Sequence, residues 1–322
     1  MRLVMMGTGP FALPTFRRLY ETAHQVVALV TGPVRTHRGK QVEPASLLRE
    51  VAGERGTPIL DPEDVNADEF AAPLRALAAD LFIVCDYGQI LSPATLGAAR
   101  LGGINLHASL LPKYRGAAPI NWAIYHGETE TGVTVIHMTP RLDAGPCIAQ
   151  LRVDIGPDET AGQLEARLAD LGTPLVCETI DRLERGDARP LAQDAALASR
   201  APRLKKTDGE IDWRRSAAAI KNQIRAFEPW PRSYTFWHRP DGTPVRLIVP
   251  SASVGSLPTA ASTSTALPGT VLEAADDRLT IATGEGVLAP ATIQPAGKRE
   301  MPVAEFLRGH HVRPGDRFGP EA

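Results

Sequence analysis

The sequence predicts an α/β protein in two parts. An open, mostly parallel sheet with helices occupies residues 1–186, a connector follows at 187–206, and a small β-barrel takes up 207–322. Three observations predict this. Strand-like and helix-like runs alternate through the first 185 residues. The stretch 186–206 holds no amphipathic run. Beyond it come short strand-like runs punctuated by Gly and Pro, the pattern of a small barrel. A chain of 322 residues also fits two domains, since one domain is typically about 150.

Taken in order, residues 2–6 form a short apolar run closed by glycine. Residues 10–20 open a helix with Phe11, Phe16 and Leu19 as its apolar positions and Pro14 near its first turn. Residues 26–30 are β-branched and strand-like, and 44–53 and 70–79 read as helices. The run 81–85 is continuously apolar, as in a strand covered on both faces. Further strands are expected at 104–106 and 133–138, and a long helix at 160–183. In the second half a helix is expected at 216–227. A Pro/Trp-rich FEPWPRSYTFW follows, then strands at 245–249, 269–272, 279–282 and 287–293. The segment 250–268, rich in Ser, Thr and Ala and free of charge, reads as a flexible low-complexity loop. No internal repeat is present.

Hydrophobic residues make up 43% and charged residues 22%, which argues against wholesale disorder. No run of about 18 apolar residues offers a membrane span, and the opening MRLVMMGTGPFALP lacks the shape of a signal peptide. Three cysteines without a CxxC pair disfavour a disulfide framework or a structural zinc site and fit a reducing cytoplasm. The net charge of -2 draws no polyanion by bulk attraction. A nucleic-acid partner would have to be held by local basic patches.

Gly7-Thr8-Gly9-Pro10-Phe11-Ala12 matches G-x-G-x-x-G/A between a strand and a helix. A dinucleotide site also wants an acid at the end of the second strand. That strand ends Val30-Thr31-Gly32, without one. The turn is therefore read as structural.

Asn105, His107 and Asp143 carry the chemistry. Asn105 and His107 stand two apart at the end of a strand, so they point the same way. Asp143 follows the strand at 133–138, and both ends belong to the ligand-facing edge of such a sheet. This set suits acyl transfer to an amine. An Asn amide can be aimed at a developing oxyanion. An imidazole can donate to that oxygen or shuttle a proton. A carboxylate orients the imidazole and accepts a proton, directly or through water. No G-x-S-x-G elbow supports a serine nucleophile. The same residues also suit a hydrogen-bonded strand-end His and a turn-forming Asp with no chemistry.

The stretch 105–120, NLHASLLPKYRGAAPI, resembles the signature of the 10-formyltetrahydrofolate-dependent formyltransferase family, and RLDAGP around Asp143 is similar to its second catalytic segment. GTGPFA resembles the family's opening turn GTPxFA, with Gly9 and Pro10 standing where the family has Pro and then an acid. Asp86-Tyr87-Gly88-Gln89-Ile90-Leu91 is similar to its cofactor-lining AYGxIL loop, with Asp86 in place of Ala. IDW at 211–213, Pro229-Trp230-Pro231 and especially QPAGKREM at 294–301 resemble the members that act on methionyl-tRNA. The resemblance thins at 186–203 and 250–268.

This resemblance implies a Rossmann-like catalytic domain followed by an OB-like, tRNA-binding barrel. It implies transfer of a formyl group from 10-formyltetrahydrofolate, as co-substrate, to the α-amine of methionyl initiator tRNA. Asn105, His107 and Asp143 become the catalytic trio. Ser109, Leu110, Leu111 and Pro112, with Asp86, Tyr87, Gly88 and Ile90, become folate contacts. No metal is implied, and a cytoplasmic monomer away from membranes is expected. Arg35, Arg38 and Lys40, in the acid-free TGPVRTHRGKQ, are similar to a basic loop that enters the tRNA acceptor stem. Lys206, beside Arg203 and Lys205, aligns with a lysine near tRNA, and Lys298-Arg299 forms a third cluster. Trp230, Tyr234 and Trp237 are expected in the core at the start of the barrel. The alternatives are a sugar-nucleotide amine N-formyltransferase, a 10-formyltetrahydrofolate hydrolase, a nicotinamide dehydrogenase and a non-catalytic RNA-binding module.

Overall fold

The computed structural model describes residues 1–34, 36–37, 40–41, 46–239, 242–255 and 266–321, with 36, 37, 40 and 41 as backbone alone. Its first elements are β1 (Arg2–Met6), α1 (Leu13–Leu19), β2 (Gln25–Val30), β3 (Thr36–His37), β4 (Lys40–Gln41), α2 (Leu47–Glu54), β5 (Ile59–Leu60) and α3 (Asp68–Ala76). Then come β6 (Leu81–Val84), α4 (Pro93–Leu96), β7 (Gly103–His107), β8 (Arg115–Gly116), α5 (Pro119–Tyr125), β9 (Glu130–His137), β10 (Cys147–Asp154), α6 (Ala161–Arg185) and β11 (Arg200–Ala201). The chain ends with α7 (Ala217–Ala226), β12 (Tyr234–His238), β13 (Pro244–Gly255), β14 (Val271–Ala275), β15 (Arg278–Ala282), β16 (Val287–Pro295), β17 (Met301–Pro302), α8 (Val303–Gly309) and β18 (Arg317–Gly319). Two compact units emerge. One comprises Met1–Pro119, Glu130–Asp154 and Gln163–Pro202, the other Ile120–Thr129, Ile155–Gly162 and Arg203–Ala322.

The first unit is built on a sheet in the order β10-β9-β7-β6-β1-β2-β5. The five strands from β7 to β5 are parallel. β9 runs antiparallel to β7, and β10 antiparallel to β9. β6 is buried at all four positions, as its unbroken LFIV requires of a strand covered on both faces. β10 alternates between half-buried and exposed positions from Ala149 to Asp154, the period-two habit of a strand at the sheet edge. α6 buries Leu164, Leu168, Val176 and Ile180 at helical spacing. Leu106 of β7 packs on this helix at Gly172, which sets one face of β7 against α6 and turns Asn105 and His107 to the other. The expected helix at 10–20 is a 3-10 turn, Pro10–Ala12, running into α1. Among the described residues no helix is long and apolar enough to cross a membrane.

The second unit is an antiparallel barrel in the order β14-β15-β16-β13-β12-β18, with β17 alongside β16. The end strands close on each other. Thr270 bridges Arg317, the Val271 N–H donates to the Asp316 carbonyl, and the Phe318 N–H donates to the Gly269 carbonyl. Inside lie Trp213, Ile220, Ile224, Trp237, Leu247, Ile281, Phe306 and Phe318. Trp237 is core as expected, with its indole N–H on Asp316. Tyr234 instead lies half-buried under the Arg246 guanidinium, and Trp230 is 49% exposed, outside the core. The low-complexity loop is shorter than its composition suggests. Residues 250–255 continue β13 along β16, past register shifts between Ile248 and Ala252, because the ladder satisfies their backbone groups whatever their side chains. Residues 256–265 lie outside the described residues.

Candidate active site

The carboxyl ends of β1, β6 and β7 lie side by side, since Met6 pairs with Val84 and Val84 with Asn105. His107 ends β7, 6% exposed. Its Nε2 lies 2.9 Å from the Tyr114 carbonyl. A carbonyl only accepts, so Nε2 carries the proton and Nδ1 is the nitrogen left to work. Nδ1 faces the Asp143 carboxylate, with Oδ2 at 3.7 Å. That span is ion-pair distance and slightly long for a hydrogen bond. Oδ2 meanwhile accepts the Gly116 N–H at 2.8 Å. Asp143 sits in a left-handed backbone conformation, φ 49°, which Asp tolerates better than most residues. Sequence spacing anticipates the shared face of Asn105 and His107. The strand ends do not account for Asp143: β9 runs antiparallel to β7 and ends beside Ile104, and the loop after it brings Asp143 to His107.

The loop after His107 is tied down. Thr134 donates to the Ser109 carbonyl at 2.6 Å and accepts from the Leu111 N–H and from Gln150. The Ser109 hydroxyl donates to the Lys113 carbonyl, and the Lys113 N–H to the Leu110 carbonyl. Ser109 and Leu111 are buried, whereas Leu110 and Pro112 are half-buried. The Ser109 hydroxyl, the carbonyls of Ser109, Leu110 and Leu111 and the Leu111 N–H are thus spent on loop geometry, leaving Leu110 and Pro112 as the apolar surfaces of this segment. Ile90, after β6, and Leu142, beside Asp143, are 57% and 55% exposed. Ile90 leaves the carboxyl end of the strand parallel to β7, and Leu142 is placed there by its neighbour Asp143 rather than by β9, which runs antiparallel. Exposed apolar side chains flanking a polar strand end make a natural slot for a flat ring. Gly88 is exposed, while Tyr87 is buried with its hydroxyl unpartnered among the described residues.

The two departures in the nucleotide-like turn and the 86–91 loop are one feature. A Cβ built on Gly9 would stand 1.7 Å from Asp86 Oδ2. The carboxylate therefore fills the space that a Pro or any other side chain at position 9 would take. The Asp86 carbonyl is held by the backbone N–H and hydroxyl of Thr8. Although Asp86 as a residue is exposed, its carboxylate is turned inward onto Gly9, and that burial pushes its pKa up to about 6. Glu165 of α6 is raised too, by burial first and then by the charge of Asp86. The sign for stability follows. The charged carboxylate is disfavoured in the folded state, so a penalty is absent below the ordinary value of 3.8, grows up to about 6 and is complete above it. Asp86→Asn is expected to raise the melting midpoint at pH 8 by a few degrees, roughly 1 kcal/mol after allowance for solvent screening. The gain should fade as pH falls through 6. A midpoint difference that is flat from pH 4 to 8 would contradict this account.

Of the basic residues, Arg35 and Arg38 lie outside the described residues, and Lys40 is placed by its backbone on β4, paired with β3. Arg203, Lys205, Lys206 and Lys298 are exposed. Arg299 is not a free cation. It pairs with Glu305 and donates to the Glu300 carbonyl. Among the described residues, His24, Asp181 and Glu184 offer ligand atoms close enough for a metal. They lie by the start of β2, away from the carboxyl ends, and the His24 ring already contacts Asp181 and the Met1 amine.

Sequence reading missed three participants: the Tyr114 carbonyl, the Gly116 N–H and Gln193. The Gln193 side chain bridges Arg115 to the carbonyls of Asp143 and Gly145. No local pattern discloses them, because Gly116 and Gln193 reach Asp143 from distant segments and Tyr114 acts through a carbonyl that every residue carries.

Residues 1–180 match the family described as formyl transferase, and 203–311 match the formyl transferase C-terminal domain. The methionyl-tRNA formyltransferase of Citrifermentans bemidjiense is 43% identical, over 99% of this chain and 96% of its own length. That of Desulfotalea psychrophila is 44% identical over 97% and 94%. Among solved structures, an N-formyltransferase from Helicobacter canadensis, in complex with folinic acid and dTDP-3-aminofucose, superposes with a TM-score of 0.65. At 19% identity over 89% of this chain and 98% of that one, it supports the fold alone. With family matches covering both halves and relatives this similar along almost its entire length, the chain belongs to the methionyl-tRNA formyltransferase family.

Proposed function

We propose that the protein transfers a formyl group from 10-formyltetrahydrofolate to the α-amine of methionyl initiator tRNA, acting in the cytoplasm as a monomer. The observation that carries this reading is the meeting of His107 and Asp143 at the end of β7, in a chain alike throughout to proteins named for that activity. The amine attacks the formyl carbon. A C–N bond forms and the carbonyl oxygen takes the charge. The Asn105 amide stabilises that oxygen, as does the His107 ring when Nδ1 also carries a proton, each such donor being worth about 2.7–4 kcal/mol. Asp143 orients the imidazole and accepts the amine's proton through a water. Collapse of the intermediate expels N10 of tetrahydrofolate, which takes the proton that the water and Asp143 received from the amine. Leu110, Pro112, Ile90 and Leu142 flank the pterin, with Ser109, Leu111, Asp86, Tyr87 and Gly88 shaping the loops around it.

The barrel and the basic segments hold the tRNA. Lys206, Lys298, Arg299 and the loop bearing Arg35, Arg38 and Lys40 meet phosphates, and Arg299 exchanges its exposed pairing with Glu305 for one of them. Incubation of the protein with initiator methionyl-tRNA and formyl-labelled 10-formyltetrahydrofolate should place the label on the tRNA. Label found on a sugar-nucleotide amine, or released as formate, would overturn the reading. Arg38→Ala is expected to raise the KM for tRNA about 5- to 10-fold and to reduce the salt slope of binding by about 1. Folate affinity should be unchanged. An unaltered KM and slope would remove Arg38 from the tRNA contacts.

A further inference from the structure

The segment at 191–201 holds only a three-residue 3-10 turn, Ala195–Leu197, and the two-residue β11, yet it is bonded to Asp143 and to the residues that hold His107 and Asp143. The Leu191 and Cys147 backbones exchange hydrogen bonds at 2.8 Å. Ser199 accepts the Tyr114 N–H on its hydroxyl at 2.9 Å and the Arg115 N–H on its carbonyl at 2.9 Å. β11 pairs with β8, so Arg200 and Ala201 lie against Arg115 and Gly116. Tyr114 holds His107 by its carbonyl, and Gly116 holds Asp143 by its N–H. Gln193 lies at the centre of this arrangement.

The orientation of its amide is unambiguous. Arg115 Nε and Nη2 reach one end at 3.1 and 2.7 Å, and a guanidinium only donates, so that end is the oxygen. The other end reaches the carbonyls of Asp143 and Gly145 at 2.8 and 2.7 Å, and carbonyls only accept, so that end is the NH2. The stretch that carries Asp143 connects β9 to β10 without regular structure, and Asp143 itself is left-handed. A residue in that conformation stays put only where its surroundings fix it. Its side chain is fixed by Gly116 and its backbone by Gln193, which is in turn oriented by the residue before Gly116.

We propose that Gln193 is a positioning residue for the formyl-transfer reaction, acting by holding the backbone of Asp143 so that its carboxylate faces Nδ1 of His107. The inference rests on the activity proposed above. Gln193 touches no reacting atom. Its effect passes entirely through Asp143, and this makes a sharp test possible. Displacing a carboxylate by even an ångström costs rate rather than affinity, because the group acts on the proton of the attacking amine. Removal of the amide should therefore lower kcat and leave the substrates' KM values in place.

The experiment is a double-mutant cycle on the full-length protein, with Gln193→Ala, Gln193→Glu, Asp143→Asn and the two double variants. Gln193→Ala is expected to lower kcat 10- to 100-fold with both KM values within about twofold. Gln193→Glu keeps the Arg115 contact but turns an oxygen toward two carbonyl oxygens, so it should lower kcat at least as much while folding normally. In the Asp143→Asn background either change at 193 should lower kcat by less than twofold, since the group it positions is already gone. Gln193→Glu retaining kcat within twofold of the parent would overturn the proposal. So would equal losses with and without Asp143, which would mark Gln193 as generally structural. If the parent protein transfers formyl to another acceptor, the cycle can be run on that reaction, so the identity of the parent's product tests the proposed activity separately from Gln193.

Discussion

His107→Ala is expected to lower kcat for methionyl-tRNA by about 100- to 10,000-fold while the protein remains folded. The size follows from two losses at one position. In the proposed mechanism the ring supplies an oxyanion donor, and its Nδ1 is the atom that Asp143 faces at 3.7 Å. Nε2 is bound to the Tyr114 carbonyl, so the ring cannot turn to offer its other nitrogen without breaking that bond. The chemistry is confined to Nδ1. A stability cost accompanies the change, because truncating a 6% exposed side chain strips a buried carbonyl of its donor, at about 1–3 kcal/mol. A native circular-dichroism spectrum and a melting midpoint a few degrees lower would account for that cost and leave the rate loss to chemistry. Folded protein that keeps turnover within tenfold of the parent would remove His107 from the mechanism.

Much of the frame is legible in the sequence, where the physics is local. LFIV at 81–84 is apolar without a break and is buried on both faces. The apolar positions of 160–183 repeat at helical spacing, and a 25-residue helix stands there. Asn105 and His107 share a face because side chains alternate along a strand. Local signals fade where structure is made by distant partners. β10 is a one-faced edge strand whose CIAQLRVD alternates instead of forming an apolar run, and it escapes a search for apolar runs. β13 extends through residues 250–255 because β16 pairs with it, although their composition reads as loop. The pairing of Arg299 with Glu305 six residues on is likewise invisible until the start of α8 is placed. The site divides in the same way. Residue type points to Asn105, His107 and Asp143. The groups that hold them are a carbonyl, a backbone N–H and a glutamine in an irregular segment, and any residue supplies the first two. Gly9 and Asp86 look like two unrelated departures from the family pattern, and only the space they share makes them one.

Asp143→Asn should be as damaging as the loss of His107, and for a cleaner reason. Asn keeps an oxygen that can accept the Gly116 N–H, now received by Oδ2 at 2.8 Å, and its amide tolerates the left-handed backbone at this position. The geometry of the loop therefore survives while the negative charge and the proton acceptor disappear. A fall of about 100- to 10,000-fold in kcat, with both KM values near those of the parent, is expected. Gly116→Ala approaches the same carboxylate from the other side. Gly116 has φ 130°, and a Cβ there would stand 2.4 Å from the Ala201 carbonyl oxygen. Because the obstruction is backbone, β8 must part from β11 and carry away the N–H that holds Asp143. Strain of about 1–3 kcal/mol should appear in the melting curve together with the loss of rate. Asp143→Asn thus removes charge at fixed position, and Gly116→Ala removes position at fixed charge. If Asp143→Asn were nearly as active as the parent and Gly116→Ala inactive, the carboxylate would be a structural tie and the proton would have to leave by another route.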